Sequence, residues 1–358
     1  MNSKTNGADG RYVAYVGTYT HGTSVGIHLY DVDVENGTMT ERKVIPINNP
    51  SDLTVSKNGR FLYSIADEGV EAFRILPDGD LEPMNEEWIG GMRGCYVEVD
   101  DKNRYLFVAG YHDGRVTMMH LNEDGSIGGI ADGIFHQGMG RSVAERCSRP
   151  HVNCVVLTPM KQNYVCAVDG GLDHVKIYQL DYAEGKMKIA DILRCPLDSA
   201  PRMLRFTKNG KFAYVLCELK NTVEVYRYEC TPKGPMFDFV QSVPTVDEKD
   251  MADNSASGME LTADGKYLFC SNAGTNTVVV FEVNQETGSL TKVCCSTISG
   301  DYPKTLGIFP DGKHFASLNH DSNEITLFKV DYEKKIFLME SKPIKIETPN
   351  CIHFHRLV

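Results

Sequence analysis

The chain has 358 residues, with 42% hydrophobic and 24% charged side chains, a balance that excludes a disordered or low-complexity protein and supplies a large apolar core. Its formal charge is −11, from 37 basic against 48 acidic residues, with no lysine or arginine stripe, which argues against nucleic acid as a partner. No apolar run approaches the roughly 18 residues of a membrane helix, and Met1 to Gly10 is a polar tail without the apolar core of a secretion signal, so a soluble cytoplasmic protein with no membrane partner is expected.

Beyond that tail, residues 11–358 read as one domain. A first strand is expected from Arg11 to Tyr19. One unit then recurs: a short turn, a basic or polar residue, and an apolar or aromatic run. It stands at Asn58-Gly59-Arg60-Phe61-Leu62-Tyr63, at Lys102-Asn103-Arg104-Tyr105-Leu106-Phe107, and in degenerate form around Gln162-Asn163-Tyr164. It returns at Asn209-Gly210-Lys211-Phe212-Ala213-Tyr214, Asp264-Gly265-Lys266-Tyr267-Leu268-Phe269 and Asp311-Gly312-Lys313-His314-Phe315-Ala316. With the N-terminal copy at Gly10-Arg11-Tyr12 this makes seven, spaced roughly 45 to 60 residues apart, the period of propeller blades.

The Asn-Gly and Asp-Gly pairs predict two-residue hairpin turns with positive φ. Segments that follow, such as Thr222 to Tyr228, alternate with period two, and no helical periodicity is present. Four antiparallel strands per unit without an intervening helix predict an all-β, seven-bladed β-propeller. Each innermost strand is expected to start at a proline or small residue, as in Asn49-Pro50-Ser51, Arg149-Pro150-His151, Ala200-Pro201-Arg202, Ser255-Ala256-Ser257 and Tyr302-Pro303-Lys304. Thr348-Pro349-Asn350 repeats this start with no hairpin partner after it, so it is predicted to pair with the first strand and close the ring.

Counting eight residues back from each turn glycine, or its equivalent, aligns Ser51, Cys95, Asn153, Arg202, Ser257 and Lys304, and Asn350 matches them. This predicts a polar ring on one face. Arg202 and Glu218 each stand eight residues from Gly210 and are expected to form an ion pair across the hairpin; a rim salt bridge without chemistry carries about equal weight. Asp169 falls at the corresponding strand end of the preceding blade. His151 follows a loop placed from Gly133 to Pro150, which also carries Arg141, Arg146 and Arg149. His112 and His320 are assigned to solvated loops, and Tyr96 and Met203 to channel packing. Eleven cysteines, an odd and scattered number, are expected to be reduced; no ligand spacing suggests a metal, and no cofactor is expected.

Several ordered motifs carry a resemblance. Tyr15-Val16-Gly17-Thr18-Tyr19-Thr20, the run from Arg104 to Ala109, Arg146-Cys147-Ser148-Arg149-Pro150-His151, Pro201-Arg202-Met203-Leu204 and Cys217-Glu218-Leu219 together resemble the lactonase family of seven-bladed propellers. That family includes propeller-type 6-phosphogluconolactonases and carboxy-muconate cycloisomerases, and the resemblance extends from Arg11 to Phe354. It implies a site at the axial mouth, in which His151, Arg202 and Glu218 match the family pattern. Asn153 and Met203 stand where histidines are usual, Ala273 replaces a loop arginine, and Lys304 stands where arginine is frequent.

The resemblance implies a hydrolase of carbohydrate metabolism that opens an anionic sugar lactone in the manner of a 6-phosphogluconolactonase. His151 is the expected base, since an unperturbed imidazole titrates at about 6.5. Arg202 is expected to hold the oxyanion or the substrate's charge, with Glu218 orienting it. Lys304, Arg146, Asn153 and Asp169 are the expected substrate-binding residues. The alternative is a non-catalytic propeller that binds a small anionic metabolite or a protein partner, which Asn153 and Ala273 favour.

Overall fold

The computed structural model describes residues 10–140, 148–160 and 163–357. Its recurrent turns are four-residue loops, not the two-residue turns expected. Ser56 N donates to Phe61 O at 2.8 Å to close the loop, and Gly59 N donates to Ser56 O at 2.8 Å within it. Asn58 Oδ1 accepts from Ser56 Oγ at 2.7 Å and from Arg60 N at 3.0 Å. Asn209 and Asp264 make the same contacts with Thr207 and Lys211 and with Thr262 and Lys266. Only the glycine is left-handed, with φ of 72° at Gly59, 68° at Gly210 and 70° at Gly265. The Asn or Asp before it is therefore selected for its side-chain acceptor, which caps the turn, and not for a positive φ.

Seven antiparallel sheets follow from these hairpins. Blade 1 combines Pro349–Arg356, innermost, with Tyr12–Thr18, Gly26–Asp33 and Thr38–Pro46. The innermost strands of blades 2 to 7 are Leu53–Val55, Tyr96–Val99, Val152–Leu157, Pro201–Phe206, Ala256–Leu261 and Pro303–Ile308. Each blade has four strands, and blade 7 adds the short Ile344–Lys345 beside Glu324–Asp331. A 3-10 turn at Glu248–Asp253 is the helical element among the described residues. No helix among them is long and apolar enough to cross a membrane. The outer strand of blade 3 runs from Ile127 to Phe135, past the Gly133 at which the loop was expected. Arg141, Arg146, Cys147 and Gln162 lie outside the described residues.

The ring closes as predicted: Tyr12 pairs with Arg356, Ala14 with Phe354 and Gly17 with Cys351. The core is not central but divided into seven clusters, one for each contact between adjacent blades. Phe212 and Tyr214 of blade 5 meet Phe281 and Leu290 of blade 6, for example, and Ile352 and Phe354 of the closing strand pack against Phe309 and Leu318 of blade 7. A buried tyrosine hydroxyl ties several of these contacts: Tyr15 Oη donates to Gly79 O at 2.7 Å, Tyr63 Oη to Gly125 O at 2.9 Å and Tyr214 Oη to Gly288 O at 3.0 Å. Those glycines have φ between 74° and 90°, and a Cβ at Gly125 or Gly288 would meet the ring of Phe61 or Phe212 at 2.3 Å, so no other residue fits. The ten cysteines among the described residues are all unpaired.

A chain ending at Glu347 loses the closing strand and exposes the edge of Tyr12–Thr18. Since burying one large apolar side chain contributes about 1.5–3 kcal/mol, it is expected to melt well below the full chain or not to fold; an unchanged melting temperature would refute closure by this strand. Tyr214→Phe leaves Gly288 O without its donor and is expected to lower unfolding free energy by about 1–2 kcal/mol in denaturant titration.

Candidate functional site

The residues that line the axis do so because the innermost strands begin irregularly. The ladder between the innermost strand and its neighbour slips between Val152 and Cys154, Pro201 and Met203, Ala256 and Met259, and Pro303 and Thr305, and opposite Gly17 and Thr18 it skips Asn350. The skipped positions are Asn153, Arg202, Ser257 with Gly258, Lys304 and Asn350. A bulged residue is released from the ladder and its side chain is re-aimed. Ser51 and Cys95 precede the innermost strands of blades 2 and 3. All seven residues of the expected ring line one cavity of about 1030 Å³.

Two devices hold these strand starts. Before the leading proline the backbone is left-handed, with φ of 48° at Asn49, 46° at Ala200, 57° at Tyr302 and 42° at Thr348. A residue before proline ordinarily takes an extended conformation, so strain is concentrated at the mouth. The second device was not anticipated. A carboxylate or amide in the preceding blade grips four of the strand starts: Asp173 Oδ1 accepts from Ala200 N at 2.9 Å, Asn221 Oδ1 from Ala256 N at 2.9 Å, Asn276 Oδ1 from Tyr302 N at 2.9 Å, and Asn323 Oδ1 from Thr348 N at 2.8 Å. The repeated Asp or Asn two residues before Val175, Val223, Val278 and Ile325 is the sequence signal that would have found it.

Arg202 and Glu218 meet as expected, with Nη1 and Oε2 3.1 Å apart. They are not direct ladder partners: Glu218 N pairs with Ala200 O, two residues earlier, and the bulge at Arg202 brings its side chain back to Glu218. Arg202 Nε donates to Ser257 O at 2.9 Å, and Glu218 Oε1 accepts from Ser255 Oγ at 2.8 Å. The guanidinium is thereby fixed from two sides while part of it faces the cavity. Ala273 is buried and its N–H donates to Ser255 O at 2.8 Å, so the replaced loop arginine belongs to the same corner of the mouth as Glu218.

Lys304 completes a cationic mouth. Its Nζ lies 3.3 Å from Tyr19 Oη and 4.8 Å from the centre of the Tyr19 ring, and the Arg93 guanidinium lies 5.1 Å from the same ring. Burial, reinforced by Arg202, brings the Lys304 ammonium down to about 7. Deeper in the cavity Arg205 contacts Glu260 at 3.2 Å and the Tyr96 hydroxyl at 3.3 Å, and burial pushes the Asp52 carboxyl up to about 7. Tyr96 and Met203 both line the cavity, Met203 also packing on the core between blades 5 and 6.

Two expected site residues are placed differently. His151 is buried: its ring stacks on Tyr111 with centroids 4.3 Å apart, Nδ1 contacts Tyr111 O at 2.8 Å, and it is absent from the cavity wall that Tyr111 and His112 form. Asp169 is fully buried and does not line the axial cavity. Its Oδ1 accepts from the N–H groups of His151, Gly171 and Leu172, and its Oδ2 lies 2.6 Å from His136 Nδ1. Asp169 therefore holds the loop that leads into blade 4, an acceptor consumed by backbone donors before any ligand arrives. Arg146 lies outside the described residues. Asn153 lines the cavity, with Nδ2 3.3 Å from Pro201 O.

His136, just past the outer strand of blade 3, and Asp169 and His174, at facing strand ends of blade 4, bring one ligand atom each within 4.8 Å of one another. The other nitrogen of His136 contacts Tyr178 Oη at 2.9 Å, so His136 and Asp169 are already satisfied by protein partners and form a buried polar knot. His112, placed in a solvated loop by the sequence, does line the cavity. Burial, with Arg93 and Arg149 nearby, lowers its imidazole below the usual value.

Residues 13–354 match the family described as Lactonase, 7-bladed beta-propeller. The chain belongs to this family. Among relatives of this lactonase-family propeller, the 6-phosphogluconolactonase of Bacillus subtilis (strain 168) is 32% identical over 351 residues, covering 96% of this chain and 98% of that one. Among solved structures, a 6-phosphogluconolactonase homologue from Bacteroides fragilis NCTC 9343 superposes with a TM-score of 0.88 at 29% identity, covering 99% of each chain. The periplasmic gluconolactonase of Pseudomonas aeruginosa superposes with a TM-score of 0.90 at 26% identity, covering 97% of this chain and 100% of that one.

The depressed Lys304 sets the sign of a pH effect. As pH rises through about 7 the ammonium loses its proton, so affinity for an anion is expected to fall. Gluconate, whose charge is constant between pH 6 and 8, should bind more weakly by calorimetry at pH 8, and Lys304→Arg should remove most of that decline. An equal decline in Lys304→Arg would assign it to another group.

Proposed function

We propose that this lactonase-family propeller hydrolyses a sugar lactone of the gluconolactone class, 6-phosphogluconolactone first among them, at the cationic mouth of the axial cavity. The observation that carries this reading is the fixed Arg202 guanidinium, held by Ser257 O and Glu218 beside Lys304, in a chain similar along its length to a 6-phosphogluconolactonase. Opening the lactone requires water to attack the carbonyl carbon, the carbonyl oxygen to carry negative charge, and the ring oxygen to leave with a proton. Arg202 supplies the preorganised positive charge for that oxygen. Lys304 and Arg93 would take a phosphate or other anionic group of the substrate.

Glu218 is poorly suited to accept the proton of water, since its two oxygens are engaged by Arg202 and Ser255. We assign that role to His112, which lines the cavity and whose lowered pKa keeps it neutral at pH 7. The same imidazolium then returns the proton to the ring oxygen. His151, the base expected from the sequence, becomes a positioning residue: it stacks on Tyr111 and is bonded to its carbonyl, adjacent in the chain to His112. A binding-only propeller is the second reading, favoured by Ala273, where the family's loop arginine is missing. A cytoplasmic site of action fits the unpaired cysteines, and the net charge of −11 fits a protein that does not bind nucleic acid.

The purified protein should hydrolyse 6-phosphogluconolactone above the spontaneous background rate. No such rate, with gluconate still bound, would leave the binding-only reading. Arg202→Ala should lower kcat/KM by about a hundredfold, roughly 3 kcal/mol in the transition state, with the fold intact. His112→Gln should lower kcat by two or more powers of ten and remove the acidic limb of the pH profile, as loss of a general base does. If His151→Gln does this instead at unchanged thermal stability, the base is His151.

A further inference from the structure

Trp88 is the single tryptophan of the chain, and 61% of it is exposed. It ends the outermost strand of blade 2, Leu81–Trp88, where its partner on the neighbouring strand is Gly69, so no side chain opposite shields the indole. The ring borders a second cavity, of about 710 Å³. Arg93 and His112 line both this cavity and the axial one, so the two adjoin at those side chains.

Their charges are opposed. The axial mouth gathers Arg93, Arg202 and Lys304, whereas the side cavity presents Asp67, Glu68 and Glu86. Carboxylates repel a phosphate or carboxylate, so an anionic group is directed to the axial mouth and the side cavity selects a neutral one. That group must offer hydrogen-bond donors to the carboxylates and an apolar face to the indole. A pyranose does both, with hydroxyls around its edge and C–H bonds on its face. The connection from Trp88 to Arg93 passes through Gly90 and Gly91, and Gly90 has a φ of 86°, so the backbone turns sharply between the indole and the mouth.

We propose that the Trp88 cavity is a second sugar subsite, and that the substrate class extends to lactones of disaccharides: the lactone ring at the axial mouth carries a neutral pyranose onto Trp88. This rests on the lactonase reading for the chemistry at the mouth, but the subsite itself is a binding site and is testable without turnover.

The probe is lactobionate, a stable aldonate bearing a neutral galactose, compared with gluconate, which lacks it. Because Trp88 is the only indole, its fluorescence reports the subsite directly. Lactobionate is expected to change that fluorescence saturably and to bind at least fivefold tighter than gluconate by calorimetry. Trp88→Ala should bring its affinity down to that of gluconate. In turnover, Trp88→Ala should lower kcat/KM for lactobionolactone at least tenfold more than for gluconolactone. Saturable fluorescence and tighter lactobionate binding with no turnover of either lactone would uphold the subsite and reject the lactonase reading. Equal affinities for the two aldonates, or a Trp88→Ala chain that binds lactobionate as tightly as the unaltered protein, would overturn the subsite. A Trp88→Ala chain that changes only its mass in sedimentation would assign this face to a second copy of the chain.

Discussion

The antiparallel pairing of Pro349–Arg356 with Tyr12–Thr18 places both ends of the described chain in one blade, and it turns a row of seven sheets into a ring. In a ring every blade packs both faces on a neighbour, so the apolar core can be distributed among seven equivalent contacts. An open row would leave the faces of two terminal blades, here blades 1 and 7, in water. The cluster that joins Ile352 and Phe354 to Phe309, Leu318 and Leu327 exists only because the last strand returns to the first blade. Tyr15, Tyr63 and Tyr214 add a directional element, since each of these hydroxyls finds its acceptor in a turn of the next blade.

Closure also creates the site. Seven innermost strands start around one axis, and each delivers one side chain where its ladder begins. The bulges at Asn153, Arg202, Ser257, Lys304 and Asn350 separate that side chain from the hydrogen-bonded strand behind it. Chemistry at the mouth can therefore change one blade at a time without disturbing the packing between blades. Ala273 and Met203 illustrate this: both depart from the family pattern, and both are accommodated, Ala273 by a backbone bond to Ser255 and Met203 by apolar contact with its neighbours.

Convergence has an electrostatic consequence. Arg202 is neutralised in part by Glu218, whereas Lys304 is buried beside that same arginine and is driven toward its neutral form. The mouth thus holds two permanently charged groups, Arg93 and Arg202, and one, Lys304, whose charge depends on pH. The acidic side cavity next to it gives the surface around the mouth two opposite polarities, with Arg93 and His112 at the boundary.

Periodicity by itself determined the blade number, the strand order within a blade, the closing strand and the seven ring positions, because each depends on local spacing repeated along the chain. The Arg202–Glu218 pair was legible for the same reason, both residues being tied to one hairpin about Gly210. The turn type is not legible in the sequence, because an Asn or Asp before glycine fits either a left-handed turn residue or a side-chain acceptor, and only the closing bonds distinguish them. His151 and Asp169 looked like mouth residues from their strand-end positions. Which way a strand-end side chain faces depends on the adjacent blade: Tyr111 covers His151, and backbone donors from the loops around blade 4 consume Asp169. His112 reaches the cavity and Trp88 opens beside it through contacts between loops of different blades. Such contacts are long-range in the chain and follow from ring closure and packing, which local sequence patterns do not encode.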